Sequence, residues 1–135
     1  MIALRVGGKI FEIGSASFFK SFFSTVFVRL EDEDWGSKFP KLMNNLYMGR
    51  LEVHDSSSAL KELQRIRYDL RAFPPNQIVW DFENRGAKPP WGDRISTAIT
   101  SLANYFVTSD GKDLIDVMQD ALTLAQSKGQ DVLVV

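Results

Sequence analysis

The chain has 135 residues, a net charge of −1 and no cysteine. This length predicts one domain, residues 1–135, and the lack of cysteine excludes disulfides, thiolate nucleophiles and cysteine-ligated zinc. The charge gives no global basic field for nucleic acid, and no apolar run approaches the roughly 20 residues of a membrane span, so we expect a cytoplasmic protein that binds neither nucleic acid nor membrane.

The N-terminal segment predicts a β-hairpin followed by a helix. The runs "IALRV" and "KIFEI" flank Gly7-Gly8, and a glycine pair between β-type runs is a hairpin signal. Ser15 or Ser17 can cap the helix that follows. Its apolar residues recur at helical spacing, which predicts a stripe buried in the core: Phe18, Phe19, Phe22, Phe23, Val26, Phe27 and Leu30.

Two more helices are predicted in the middle of the chain. The second helix should begin near Ser37 and Pro40, carry its apolar face from Phe39 to Tyr47, and end at Gly49. The third follows caps at 55–58 and ends before the proline pair at 74–75.

The last part of the chain predicts two strands and a helix. Residues 77–82, "QIVWDF", indicate a central strand because breakers lie on both sides. Residues 95–107 fit either a helix or a strand. A helix ending at Gly129 precedes "VLVV", an apolar strand that we expect to be buried on both faces. The whole pattern predicts an α+β domain, with an N-terminal β-hairpin and a mixed sheet packed with about four helices.

Several side chains allow an enzyme as the alternative function. His54 is the only histidine, and Asp55 beside it could orient it as a base. Asp81, Glu83 and Asp93 accompany Trp80 and Trp91, which would suit glycoside hydrolysis or a divalent cation. The same carboxylates also suit caps and turns, and no metal motif, phosphate-binding glycine pattern or nucleophile elbow is present.

Acidic residues cluster at two places. Glu31, Asp32, Glu33 and Asp34 run directly into Trp35, and Asp113, Asp116 and Asp120 share one face of the last helix. Adjacent like charges must be hydrated or matched by a cationic partner. Trp35 either anchors a protein–protein contact or pins the turn to the core.

Several ordered motifs between about Ser17 and Ala125 carry a family resemblance. They are "SFFSTVF", "LEDEDWGSKFP", "MNNLYMG", "LKELQRIRYDL", "PPNQIVWDFE", "KPPWGDRIS" and "ITSLANYFVTSDGKDLIDVM". The series resembles the bacterial immunity protein 70 family, whose members are small proteins linked to polymorphic toxin systems. The matching tryptophan, glycine and proline motifs place Trp35, Gly36, Phe39, Pro40, Trp80, Asp81, Pro89, Pro90, Trp91 and Gly92 in this pattern.

The resemblance implies a cytoplasmic antidote that neutralises a cognate toxin protein by binding, without catalysis or a cofactor. A generic interaction module without a toxin is a further alternative, and the sequence does not indicate an oligomeric state. Rigid aromatic anchors and charge complementarity would supply affinity and a fast on-rate. The candidate partner-binding residues are therefore Glu31, Asp32, Glu33, Asp34, Trp35, Asp81, Glu83, Trp91, Asp93, Asp113, Asp116 and Asp120.

Overall fold

A four-stranded antiparallel sheet organises the computed structural model, which describes residues 1–135. The hairpin predicted at Gly7-Gly8 joins β1 (Ile2–Val6) to β2 (Lys9–Gly14). β3 (Arg50–Leu51) and β4 (Val132–Val134) complete the order β2-β1-β4-β3. The α+β class is confirmed. The sheet is not mixed, however, because β4 enters between β1 and β3 antiparallel to both.

Helices form in the four places where the sequence predicts them. They are α1 (Ala16–Thr25), which continues as a π-helical turn over Val26–Leu30, a short π-helix over Lys41–Leu46, α2 (Ser56–Leu70) and α3 (Leu114–Lys128). Ser15 caps α1 by accepting the Phe18 N–H at 3.1 Å. Ser37 does not cap the π-helix, because the Glu62 carboxylate binds the N–H groups of Lys41 and Leu42 at 3.1 and 3.0 Å.

The helices pack on one face of the sheet. The predicted phenylalanine stripe lies in this core, where Phe22 meets Phe23 and Phe106 edge to face with centroids 5.3 and 5.2 Å apart. The opposite sheet face is open and carries exposed Arg5 and Arg50. The prediction that β4 is buried on both faces is therefore wrong, since Val132 is buried but Leu133 and Val134 are only half-buried.

The segment 77–82 is not the central strand that its sequence indicates. After a 3₁₀ turn over Pro75–Gln77, its backbone bonds to side chains of α1 instead of to a strand. Thr25 Oγ1 accepts the Val79 N–H at 3.2 Å, and its one hydroxyl hydrogen is shared between the Val79 carbonyl at 3.1 Å and the Ser21 carbonyl at 2.9 Å. Ser24 Oγ accepts the Phe82 N–H at 3.0 Å. A buried segment needs partners for its backbone groups, and these hydroxyls supply them without a sheet.

Residues 95–107 form neither a helix nor a strand. Their turns include hydrogen bonds from Thr100 and Ser101 N–H to Asn104 Oδ1 at 3.0 and 3.2 Å, and Val107 makes one isolated bridge to Asp113. None of the helices has the length and apolar character needed to cross a membrane.

Candidate functional site

Glu31 begins the acidic run but points into the protein. It is 1% exposed, and its carboxylate accepts the N–H groups of Gly36, Lys38 and Phe39 at 3.1, 3.0 and 3.0 Å. Those bonds hold the chain between α1 and the π-helix in a closed turn. Glu31 is therefore removed from the candidate partner-binding residues, because its oxygens face backbone donors and not solvent.

The next three acids are exposed on a tightly shaped turn. Asp32 and Glu33 have φ of 51° and 62°, in the left-handed region that non-glycine residues adopt at a free-energy cost. The turn keeps this conformation because its two sides are fixed. The Glu31 carboxylate before the turn accepts the Gly36 N–H, and the Trp35 indole N–H after the turn donates to the Met43 carbonyl at 3.2 Å.

Trp35 lies half-buried within a group of aromatic rings. Its ring centroid is 5.2 Å from Phe27, 5.5 Å from Tyr47 and 5.0 Å from Phe82. These contacts pin the turn to the core, and because Trp35 is only half-buried, part of its ring remains accessible to a partner. Phe82 brings a second part of the chain, Asp81 to Arg85, against the acidic turn, and Arg85 forms an ion pair with Glu33.

Asp81 and Glu83 meet on Lys20 of α1. The Lys20 Nζ atom lies 3.1 Å from Asp81 Oδ1 and 2.5 Å from Glu83 Oε1. The Glu83 backbone N–H and the Lys20 ammonium hold the pKa of the Asp81 carboxyl below its usual value. The hydrogen bond to Glu83 in turn raises the pKa of Lys20. These two carboxylates are thus already matched by a cation of the same chain.

Trp91 belongs to a second group of aromatic rings, which the Tyr105–Phe106 contact, with centroids 5.1 Å apart, joins to the core. Its ring is edge to face with Trp80 at 5.4 Å, and its indole N–H donates to the Tyr105 hydroxyl at 2.9 Å. Burial raises the pKa of that tyrosine. Trp91 is 39% exposed, and Asp93 is an exposed residue beside it. Trp80 connects this group along the chain to Asp81.

The three acidic residues at the start and along one face of α3 have different structural roles. Asp113 caps the helix by accepting the Asp116 N–H at 3.0 Å, and burial raises the pKa of its carboxyl. Asp116 pairs with Arg67 of α2 at 2.6 Å. Asp120 is exposed and makes no ion pair within the chain. These residues do not join the acidic turn in one group.

The residues of the enzyme alternative do not form one site. His54 is an exposed residue of the 3₁₀ turn Val53–Asp55, and its ring nitrogens lie 3.6 Å from Glu52 and 3.5 Å from Asp55. Asp81 and Glu83 share Lys20, whereas Asp93 lines a pocket that contains neither of them. No group of three or more histidine, cysteine or carboxylate residues is placed to hold a metal ion.

The sequence did not indicate three residues that hold the acidic turn and its neighbouring segments together. Lys20, Arg85 and Glu62 receive no role from spacing alone, yet they join or fix segments up to 63 positions apart. Lys20 was detectable in part, because a lysine inside the apolar run "FFKSFF" must find a polar partner or reach solvent. Nothing local to Arg85 indicates its contact with Glu33.

Comparisons with known proteins agree with the motifs. The family described as Immunity protein 70 matches residues 4–134. Searches of curated proteins and of solved structures found no match. Since the matched region covers nearly the whole chain, from β1 to β4, the chain belongs to the immunity protein 70 family.

Proposed function

We propose that this protein neutralises a cognate bacterial toxin by direct protein–protein binding, without catalysing a reaction. Membership of the immunity protein 70 family is the observation that carries this proposal. An antidote must bind its toxin tightly and quickly. Buried anchors and complementary charge provide those two properties.

The binding region we propose is the acidic–aromatic surface, defined as Asp32, Asp34, Trp35 and Phe82 with the Glu33–Arg85 ion pair at its edge. Asp32 and Asp34 are exposed and unpaired, whereas Glu33, Asp81 and Glu83 each contact a cation. Unpaired carboxylates beside aromatic rings favour a partner surface rich in arginine and lysine. A toxin that cuts nucleic acid carries a basic cleft, and this surface would block such a cleft.

Rigidity of the turn supports the same proposal. The Glu31 hydrogen bonds and the Trp35 contacts fix the turn before any partner arrives. Less conformational entropy is then lost on binding, which favours high affinity from a small surface. The left-handed backbone at Asp32 and Glu33 fits a segment shaped for a purpose beyond local stability.

Binding measurements on Asp32→Asn/Asp34→Asn test this surface. Asparagine tolerates the left-handed backbone of Asp32, so the turn should keep its shape. We expect affinity for the purified cognate toxin to fall by about tenfold or more at low ionic strength, with a weaker dependence on salt. The control variant, Glu52→Gln/Asp69→Asn, removes the same charge elsewhere and should stay within about twofold. If Asp32→Asn/Asp34→Asn binds the toxin with the same affinity and the same salt dependence as the control variant, the acidic–aromatic surface is not part of the toxin interface.

A further inference from the structure

The edge of β2 is an open site on the sheet. β2 has β1 as its one neighbouring strand. On the side away from β1, the Ser109 N–H covers only the Ile13 carbonyl, at 3.0 Å. From Lys9 to Glu12 the strand has no further backbone partner within the chain.

The direction of the open backbone groups follows from the ladder. Ala3 exchanges hydrogen bonds with Val135, at 3.0 and 2.9 Å, so the backbone groups of Ala3 and Arg5 face β4. Their partners across the hairpin are Glu12 and Ile10. The N–H and C=O groups of Ile10 and Glu12 therefore face away from β1, into solvent.

A groove runs along this edge. It has a volume of about 430 Å³ and is lined by 9–12 of β2, by Asp110 and Lys112 of the preceding turn, and by Val117 and Asp120 of α3. An exposed strand edge beside a helix offers backbone bonds to an added strand and room for its side chains. The ligand chemistry that such a groove recognises is an extended polypeptide.

We infer that the β2 edge binds an extended segment of the toxin, which adds to the sheet as a fifth strand. The identity of the partner rests on the proposed function. A second copy of this chain would pair through its own β2 edge, and slowed amide exchange at Ile10 and Glu12 in the concentrated protein without toxin would assign the edge to that copy and overturn the inference.

The charged residues that line the groove indicate which charged side chains the bound toxin segment should carry. Lys112 is 3.7 Å from Asp110, and Glu12 accepts a hydrogen bond from Ser109 at 2.7 Å, so these groups are satisfied. Lys9 at one part of the groove and Asp120 at another have no ion-pair partner. The bound segment should therefore carry an acidic residue opposite Lys9 and a basic residue beside Asp120.

Hydrogen exchange with the purified cognate toxin tests the inference. On binding, amide exchange at Ile10 and Glu12 should slow at least about tenfold, as expected for newly bonded edge amides. If the toxin binds while these two amides exchange at the same rate, the inference fails and the proposed function stands. If the toxin does not bind at all, both fail.

Two variants complete the experiment. Ile10→Pro removes an outward N–H at an edge position where proline is tolerated, and Asp120→Lys reverses an exposed charge. Each should weaken toxin binding by about tenfold or more. Glu52→Lys changes the charge equally at an exposed residue outside the groove and should have less than about a twofold effect. If Ile10→Pro does not fold, normal toxin affinity of Asp120→Lys together with unchanged exchange at Ile10 overturns the inference.

Discussion

Replacing Glu31 by alanine tests whether the acidic turn depends on a buried carboxylate. The substitution removes the acceptor for three backbone N–H groups, those of Gly36, Lys38 and Phe39. A hydrogen bond to a charged group contributes about 1.5–3 kcal/mol. Two of the three donors are partly accessible and can turn to water, so the lower end applies to each bond and we expect a total loss of about 4.5 kcal/mol.

This loss is large enough to measure by thermal unfolding. A domain of this size unfolds with an entropy of about 0.28 kcal/mol/K, so Tm should fall by about 16 °C for Glu31→Ala. The control is Asp34→Ala, which removes an exposed acid of the same turn and should change Tm by less than about 2 °C. If both variants melt within about 2 °C of the parent protein, the role assigned to Glu31 is wrong.

Three other predictions address the same framework. Thr25→Val removes both bonds to the Val79 backbone and should cost about 2–4 kcal/mol in urea unfolding, whereas Thr123→Val on the exposed face of α3 should cost less than about 0.5 kcal/mol. Gly36→Ala should lower the free energy of unfolding by about 1–2 kcal/mol, because Gly36 has φ of 75° and an added Cβ would meet the Asn44 side chain. The matched control is Gly86→Ala, since the backbone of Gly86 is not in the left-handed region. The Val53 N–H and then Arg50 hold the pKa of Asp131 below its usual 3.8, so its contribution to stability is present above pH 3.8 and is lost as pH falls through the folded-state pKa. Below pH 3.8, the free energy of unfolding of Asp131→Asn should therefore fall less steeply with decreasing pH than that of the parent protein. The same pH dependence in both proteins would contradict the role given to Asp131.

The helices could be predicted because their signals are local. Apolar residues at helical spacing, the Ser15 cap and the break at Gly129 depend on neighbours in the sequence. The segment 77–82 could not be predicted in the same way. Its apolar pattern fits a strand, but whether it pairs with one depends on Thr25 and Ser24, which are about 50 residues away in the chain and adjacent only in the fold.

The candidate site shows the same limit. Charge clustering drew attention to residues 31–34, yet it cannot separate Glu31, which is buried on backbone donors, from exposed Asp32 and Asp34. That difference arises from the path of the chain after the left-handed turn. Likewise, Asp81 and Glu83 appear as unpaired acids in the sequence because their partner, Lys20, lies on a distant helix.

Titration of the purified cognate toxin with this protein, read out by toxin activity and by the mass of the complex, tests the central claim most directly. The account predicts that inhibition rises in proportion to the protein added, reaches completion at a fixed stoichiometry, and leaves the toxin covalently unchanged in a stable complex. Loss of toxin activity at strongly substoichiometric protein, with turnover or modification of the toxin, would contradict it, as would full toxin activity in the presence of excess protein.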